Sequence, residues 1–209
     1  MRLLDLFCGG GGAAMGYHRA SFEVVGVDVN AQPRYPFEFH QADALEFPLE
    51  GFDAIHASPP CQAFSTIAKQ RRKMSPGMYE HPDLVEDTRN RLLANGKPYV
   101  IENVMGAPLI DPIRLCGSSF GLDIRRHRLF ECGGWTAPLM PPCAHHWQKP
   151  RFRSLDQRRK GALATVVGVH GHLNYAGEAD LRKQAIDIDW MTNDELSQAI
   201  PPAYTEFIG

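Results

Sequence analysis

The sequence lacks any long apolar run. Nowhere in its 209 residues is there a stretch near the roughly eighteen apolar positions that a bilayer-spanning segment needs. Met1-Arg2-Leu3-Leu4-Asp5 does not open a charged segment followed by an apolar one, as a secretory leader would. A cytoplasmic chain with no membrane partner is therefore expected. Cysteine is scarce too: five residues, an odd and widely scattered set, exclude a disulfide framework and imply reduced thiols. Charge of one sign is also missing. A net charge of −2 and a pI near 6.5 exclude the globally basic character of many nucleic-acid binders. Positive charge is local instead, in Lys69-Gln70-Arg71-Arg72-Lys73 and in Lys149, Arg151, Arg153, Arg158, Arg159 and Lys160, with Trp147 and Phe152 interleaved. By charge alone, such runs read as solvated faces. No repeat or low-complexity tract is present, and a hydrophobic content of 44% suits one buried core with at most a small appendage.

What is there begins with alternating strands and helices. Leu3 to Phe7 reads as a strand, Gly9 to Gly12 as a turn, and Ala13 to His18 as a helix. Phe22 to Val27, closed by Asp28, and Phe52 to Ala57, bounded by Gly51 and Pro59-Pro60, read as further strands. A helix is predicted over Leu84 to Ala94, then a strand from Tyr99 to Ile101 that ends at Glu102-Asn103. This alternation implies an α/β fold with a doubly wound, mostly parallel sheet. Ligands of such sheets sit beyond the carboxyl ends of the strands, where Gly9, Asp28, Asp43, Cys61 and Glu102 would gather. From Glu131 to about Ile186 the periodicity fades into an irregular region. Thr192-Asn193-Asp194-Glu195 is a capping-box pattern that starts a helix stopped by Pro201-Pro202.

Two groups of residues carry chemistry. Glycines after the first strand let the backbone turn tightly and approach a ligand. The Gly-x-Gly-x-x-Gly pattern is only loosely matched, and the chain has no Gly-Lys-Ser/Thr for a nucleoside triphosphate. Asp28 is placed to accept from a ribose and Asp43 from an adenine amine, although each could simply cap a turn. At the other end, Ser58-Pro59-Pro60-Cys61-Gln62-Ala63-Phe64-Ser65 puts a cysteine in a rigid turn past a strand, with Glu102-Asn103-Val104 and Arg126-His127-Arg128 following. Nearby positive charge lowers a thiol pKa, and a closed pocket keeps a carboxyl protonated near neutral pH. Nucleophile, proton donor and cations would thus share one pocket.

These blocks, in this order, resemble the motif set of the DNA cytosine-C5 methyltransferase family. Phe7-Cys8-Gly9-Gly10-Gly11, Pro60-Cys61, Glu102-Asn103-Val104, Arg126-His127-Arg128 and a closing block from Gln198 to Gly209 match its motifs. The resemblance implies the Rossmann-like methyltransferase fold, with S-adenosyl-L-methionine held by Phe7, Gly9, Gly11, Asp28, Asp43, Pro60 and Gln198. It implies a double-stranded DNA partner and a monomeric enzyme. It also implies Cys61 as the nucleophile that adds to carbon 6 of a flipped-out cytosine, and Glu102 as hydrogen-bond partner of ring nitrogen 3. Arg128 would contact the base oxygen, and Arg126 would orient Glu102 or support the loop. Ser65 to Met78 matches the loop that closes over DNA in that family. Residues 1–130 then form the catalytic and cofactor core, 131–186 a small target-recognition region, and 187–209 a segment returning to the core.

Three departures stand out: Ile124 where relatives carry a glutamine, Ser197-Gln198 where Gly-Asn is usual, and a short recognition region. Two other readings use the same residues: cytosine-C5 modification of RNA or of a free nucleotide, and a catalytically inactive DNA-binding relative. The intact Cys61, Glu102 and Arg128 weigh against the latter. No metal site is assigned. Cys132, Cys143, His145 and His146, with Cys116 in reserve, offer ligands but not the paired spacing of structural zinc sites. A small irregular subdomain offers few base contacts, drawn from Arg151, Arg153, Arg158, Arg159, Gln148 and Gln157, with His170 and His172 as turn residues.

Overall fold

The computed structural model describes residues 1–64, 82–136, 138–148, 166–168 and 178–209, with the side chains of Trp147 and Glu178 left aside. The two basic runs, the expected DNA-closing loop, Arg151, Arg153, Gln157, Arg158 and Arg159, and the turn residues His170 and His172 all lie outside the described residues.

The strands and helices expected in the first half are present. Strand β1 (Arg2–Leu6) leads into helix α1 (Gly12–Arg19), followed by β2 (Glu23–Asp28), β3 (Glu38–Gln41), β4 (Ala54–Ala57), helix α2 (Val85–Asn95) and β5 (Tyr99–Asn103). Two further strands, β6 (Ile113–Leu115) and β7 (Arg128–Gly133), complete one seven-stranded sheet ordered β3-β2-β1-β4-β5-β7-β6. Pairing is parallel from β3 through β5, whereas β7 runs antiparallel to both β5 and β6. This is the mostly parallel, Rossmann-like methyltransferase sheet.

Central strands β1, β2, β4 and β5 are buried over most of their length because both sheet faces are covered. Alternate residues of β1 and β2 enter two cores. Leu3 and Val24 pack with Ala14, Tyr17 and Tyr204 on one face, and Leu4, Leu6, Val25 and Val27 pack with Phe52, Ile55 and Leu92 on the other. Several elements were not legible in the sequence, the short strand β6 among them. Edge strand β3 is mostly exposed, so it shows no hydrophobic signature. Strand β7 carries the core sheet past residue 130. Helix α3 (Glu178–Ile186) falls where periodicity fades, since buried Arg182 and exposed Leu181 invert the usual pattern.

The capping box is present in both halves: Thr192 Oγ1 accepts from the Glu195 N–H, and Glu195 accepts from the Thr192 N–H. It opens α4 (Asn193–Gln198), which ends before the prolines. Pro202 begins a further helix, α5 (Pro202–Ile208), at a position where its missing N–H costs nothing. The expected stop signal is therefore also a start signal.

Candidate active site

The site grows from strand ends. After β1 the chain enters the left-handed region at Phe7 (φ 55°), Gly9 (φ 48°) and Gly11 (φ 85°). A side chain at Gly9 would meet nothing within 4 Å, so the backbone there faces open space. Asp28, ending the adjacent strand, accepts from the Gly9 N–H at 3.1 Å and from the Asn30 N–H at 2.9 Å. From the far end of the chain, the Trp190 indole N–H donates to the Gly10 carbonyl at 2.9 Å and braces the turn. The turn forms one wall of a cleft of roughly 390 Å³.

The opposite wall is the reactive one. Ser58 N–H donates to the Leu6 carbonyl at 3.0 Å, and Asn103 Nδ2 donates to the Pro59 carbonyl at 2.9 Å. These bonds fix the diproline turn against β1 and β5 and bring Cys61, half-buried, into the cleft. Glu102 projects from β5 with 6% exposure. Its Oε1 lies 2.9 Å from Arg128 Nε, an ion pair whose alignment falls short of a hydrogen bond. Burial pushes the Glu102 carboxyl above its ordinary 4.5, against the opposing pull of Arg128, Arg126 and a hydrogen bond from Ser58. Behind Ser58 stands His56, whose Nε2 is 2.9 Å from Ser58 Oγ and whose Nδ1 is 3.0 Å from the Tyr17 hydroxyl. Complete burial lowers His56 to about 3, so it is neutral and relays hydrogen bonds rather than charge.

The model of C-5 cytosine-specific DNA methylases matches residues 1–107. The chain belongs to this family. It is a DNA cytosine methyltransferase, and its cofactor is S-adenosylmethionine. Among solved structures, an Escherichia coli protein described as a DNA modification methyltransferase encoded within a prophage aligns over 100% of this chain and 97% of its own. The identity is 16% and the TM-score 0.62, a likeness of fold. Spodoptera frugiperda DNMT2 aligns over 68% of this chain and 53% of its own, at 19% identity and TM-score 0.45. No curated protein matches the sequence.

The cleft fits the cofactor: it combines an open glycine turn, a carboxylate ending β2, the apolar surfaces of Phe7, Val29 and Pro60, and the amide of Gln198. Phe7, Gly9, Asp28, Pro60, Gln198, Cys61, Glu102 and Arg128 all line it. Three of the expected site residues lie outside this lining. Asp43 is exposed and does not line the cleft. Its Oδ1 accepts from the Leu45 N–H at 2.8 Å, the turn-capping role open to any such residue. Gly11 faces Tyr35 and Pro36 rather than the cleft. Arg126, 2% exposed, donates to the Ser197 carbonyl at 2.7 Å and ties α4 to the core, while the ion pair to Glu102 belongs to Arg128.

The thiol also behaves differently from expectation. Burial first, and then Glu102, raise Cys61 above its ordinary 9.0, outweighing Arg128 and Arg126. Sequence reasoning missed His56, Ser58 and Trp190. Ser58 could have been found from its place beside the prolines, but nothing near Trp190 marks it. Ile124, at the departure from the glutamine of relatives, is a core residue with 1% exposure. Finally, Cys116, His127, Cys143 and His145 place one ligand atom each within 4.8 Å of one another. This set differs from the one weighed on spacing. Cys132 lies in β7 opposite Val100, and His146 is exposed.

Proposed function

We propose that the chain methylates carbon 5 of a cytosine flipped out of double-stranded DNA, with Cys61 as covalent nucleophile and Glu102 as proton donor. The observation that carries this reading is that Cys61, Glu102 and Arg128 share one cleft with the glycine turn and Asp28. Carbon 5 of cytosine is a poor nucleophile. Addition of Cys61 Sγ to carbon 6 moves electron density to ring nitrogen 3, where Glu102 delivers its proton, and leaves carbon 5 enamine-like. When bound, S-adenosylmethionine supplies the methyl group as an electrophilic sulfonium carbon. Loss of the carbon-5 proton to solvent, departure of the Cys61 thiolate and return of the nitrogen-3 proton to the Glu102 carboxylate restore the aromatic ring and the enzyme.

Phe7, Gly9, Asp28, Pro60 and Gln198 would hold the cofactor. Arg128 stabilises the pocket charge beside Glu102, and Arg126 anchors the Arg126-His127-Arg128 segment to α4. Extrusion of the base adds an unstacking cost of a few kcal/mol, roughly, to binding. Action as a monomer, a cytoplasmic location, and the division into residues 1–130, 131–186 and 187–209 belong to the same proposal. No helix among the described residues is long and apolar enough to cross a membrane.

The test uses a duplex carrying 5-fluorocytosine, whose fluorine blocks the final elimination. With S-adenosylmethionine, the wild-type chain should form a denaturation-resistant adduct. Cys61→Ser should form none while still binding the cofactor. An adduct that survives in Cys61→Ser would remove Cys61 from the mechanism.

A further inference from the structure

The cluster of Cys116, His127, Cys143 and His145 is not used by the chemistry above. Its members come from three separate segments: the end of β6, the residue before β7, and the 143–145 stretch. Cys116 Sγ lies 3.2 Å from His145 Nε2, and Cys143 Sγ lies 3.4 Å from His127 Nε2. With zinc–sulfur bonds of about 2.3 Å and zinc–nitrogen bonds of about 2.0–2.1 Å, a sulfur–nitrogen edge of a tetrahedron spans about 3.5 Å. The two observed edges are therefore already near coordination length.

We propose that Cys116, His127, Cys143 and His145 form a tetrahedral structural zinc site. Two thiolates and two imidazoles select zinc among the common divalent ions and leave no open coordination position for catalysis. A supporting layer is present, as zinc sites require. Ser118 Oγ accepts from the Ala144 N–H at 3.1 Å and sits 3.2 Å from Cys116 Sγ, where its proton can meet the sulfur. Cys116 is fully buried, whereas the other three ligands are half-buried and leave a path for the ion. The role follows from what the ligands join. His127 stands between Arg126 and Arg128, so the ion would staple the start of the recognition region to the strand that carries Arg128 against Glu102. That region has little regular structure among its described residues before α3: beyond β7, only a single 3-10 turn at His145–Trp147. A metal supplies folding energy that such a stretch cannot obtain from a core.

The experiment takes the full chain, expressed without a histidine tag and dialysed against buffer free of added metal. Elemental analysis should find zinc at one ion per chain. Cobalt substitution should give the visible bands of a tetrahedral ion, with near-ultraviolet sulfur-to-cobalt charge transfer. Cys143→Ser and His145→Ala should reduce metal content several-fold, whereas Cys132→Ser should leave it unchanged. Wild-type stoichiometry and the cobalt spectrum stand even where a variant fails to fold. Substoichiometric zinc with no cobalt bands would overturn the proposal. So would a Cys116–Cys143 disulfide in the purified chain, or equal loss of metal from Cys132→Ser.

Discussion

Cys61 and Glu102 are both shifted upward, and the shifts have a joint consequence. Between the two pKa values, which lie above 4.5 for Glu102 and above 9.0 for Cys61, the free enzyme holds a thiol and a carboxylate. The proposed addition to the base needs the reverse, a thiolate and a carboxylic acid. The two forms contain the same number of protons, so their ratio does not change with pH in that interval. We expect kcat/KM to be level there, to fall on the acid side as both groups protonate, and to fall on the alkaline side as both ionise. Glu102→Gln breaks this symmetry. Its turnover should drop by about 10² to 10⁴, and the remaining activity should climb with pH until Cys61 ionises. Steady-state rates across pH check both statements, and a level neutral profile in Glu102→Gln would contradict the second. Arg128 is a residue whose partner no motif could assign: the sequence offers two arginines two positions apart, and only the sheet register puts Arg128, rather than Arg126, beside Glu102.

Among the elements, the contact between α1 and α5 is the one where packing most clearly overrides local preference. Gly16 lies inside α1, where alanine would be better for an isolated helix by about 1 kcal/mol. A Cβ there would stand 2.1 Å from the Pro202 carbonyl oxygen and 2.1 Å from Thr205 Oγ1. Thr205 is committed, since its hydroxyl bonds to the Ala13 carbonyl at 2.8 Å. Gly16→Ala should therefore destabilise the fold, by roughly 1–3 kcal/mol as an overpacking change, read as a lower urea midpoint. A stabilised variant would show that α5 does not press on α1. Helix α4 follows its local signal closely. Its capping box is an interaction among four consecutive residues, and Arg34 adds a bidentate bond to Glu195 at 2.9 and 2.8 Å. That bond to Arg34 is the largest cause holding the Glu195 carboxyl down at about 2. The cap was legible in the sequence, but the tie to Arg34, 161 positions away along the chain, was not.

At the scale of the whole molecule, the C-terminal segment packs back onto the glycine turn and α1. Trp190 reaches Gly10, Thr205 reaches Ala13, and Gln198 lines the cleft. The proposed recognition region is short, and each good bidentate base contact supplies only about 1–3 kcal/mol of discrimination, so a target of about two to four base pairs is expected. Affinity should fall steeply with salt, because phosphate contacts dominate such an interface. Methylation mapping on genomic DNA, with binding measured over a salt series, tests both, and a strict requirement for a much longer target would implicate a partner chain. The sequence by itself determined the strand–turn–helix order, the glycine turn, the diproline cysteine, the capping box and the family, because each is written in neighbouring residues and their backbone preferences. Only the tertiary structure decided that Asp43 caps a turn outside the cleft, that Arg126 serves α4 while Arg128 serves Glu102, that burial raises the Cys61 thiol despite two arginines, and that Cys116 and His127 join Cys143 and His145. Those outcomes depend on which distant segments meet and how much water they exclude, and neither quantity is local to a stretch of chain.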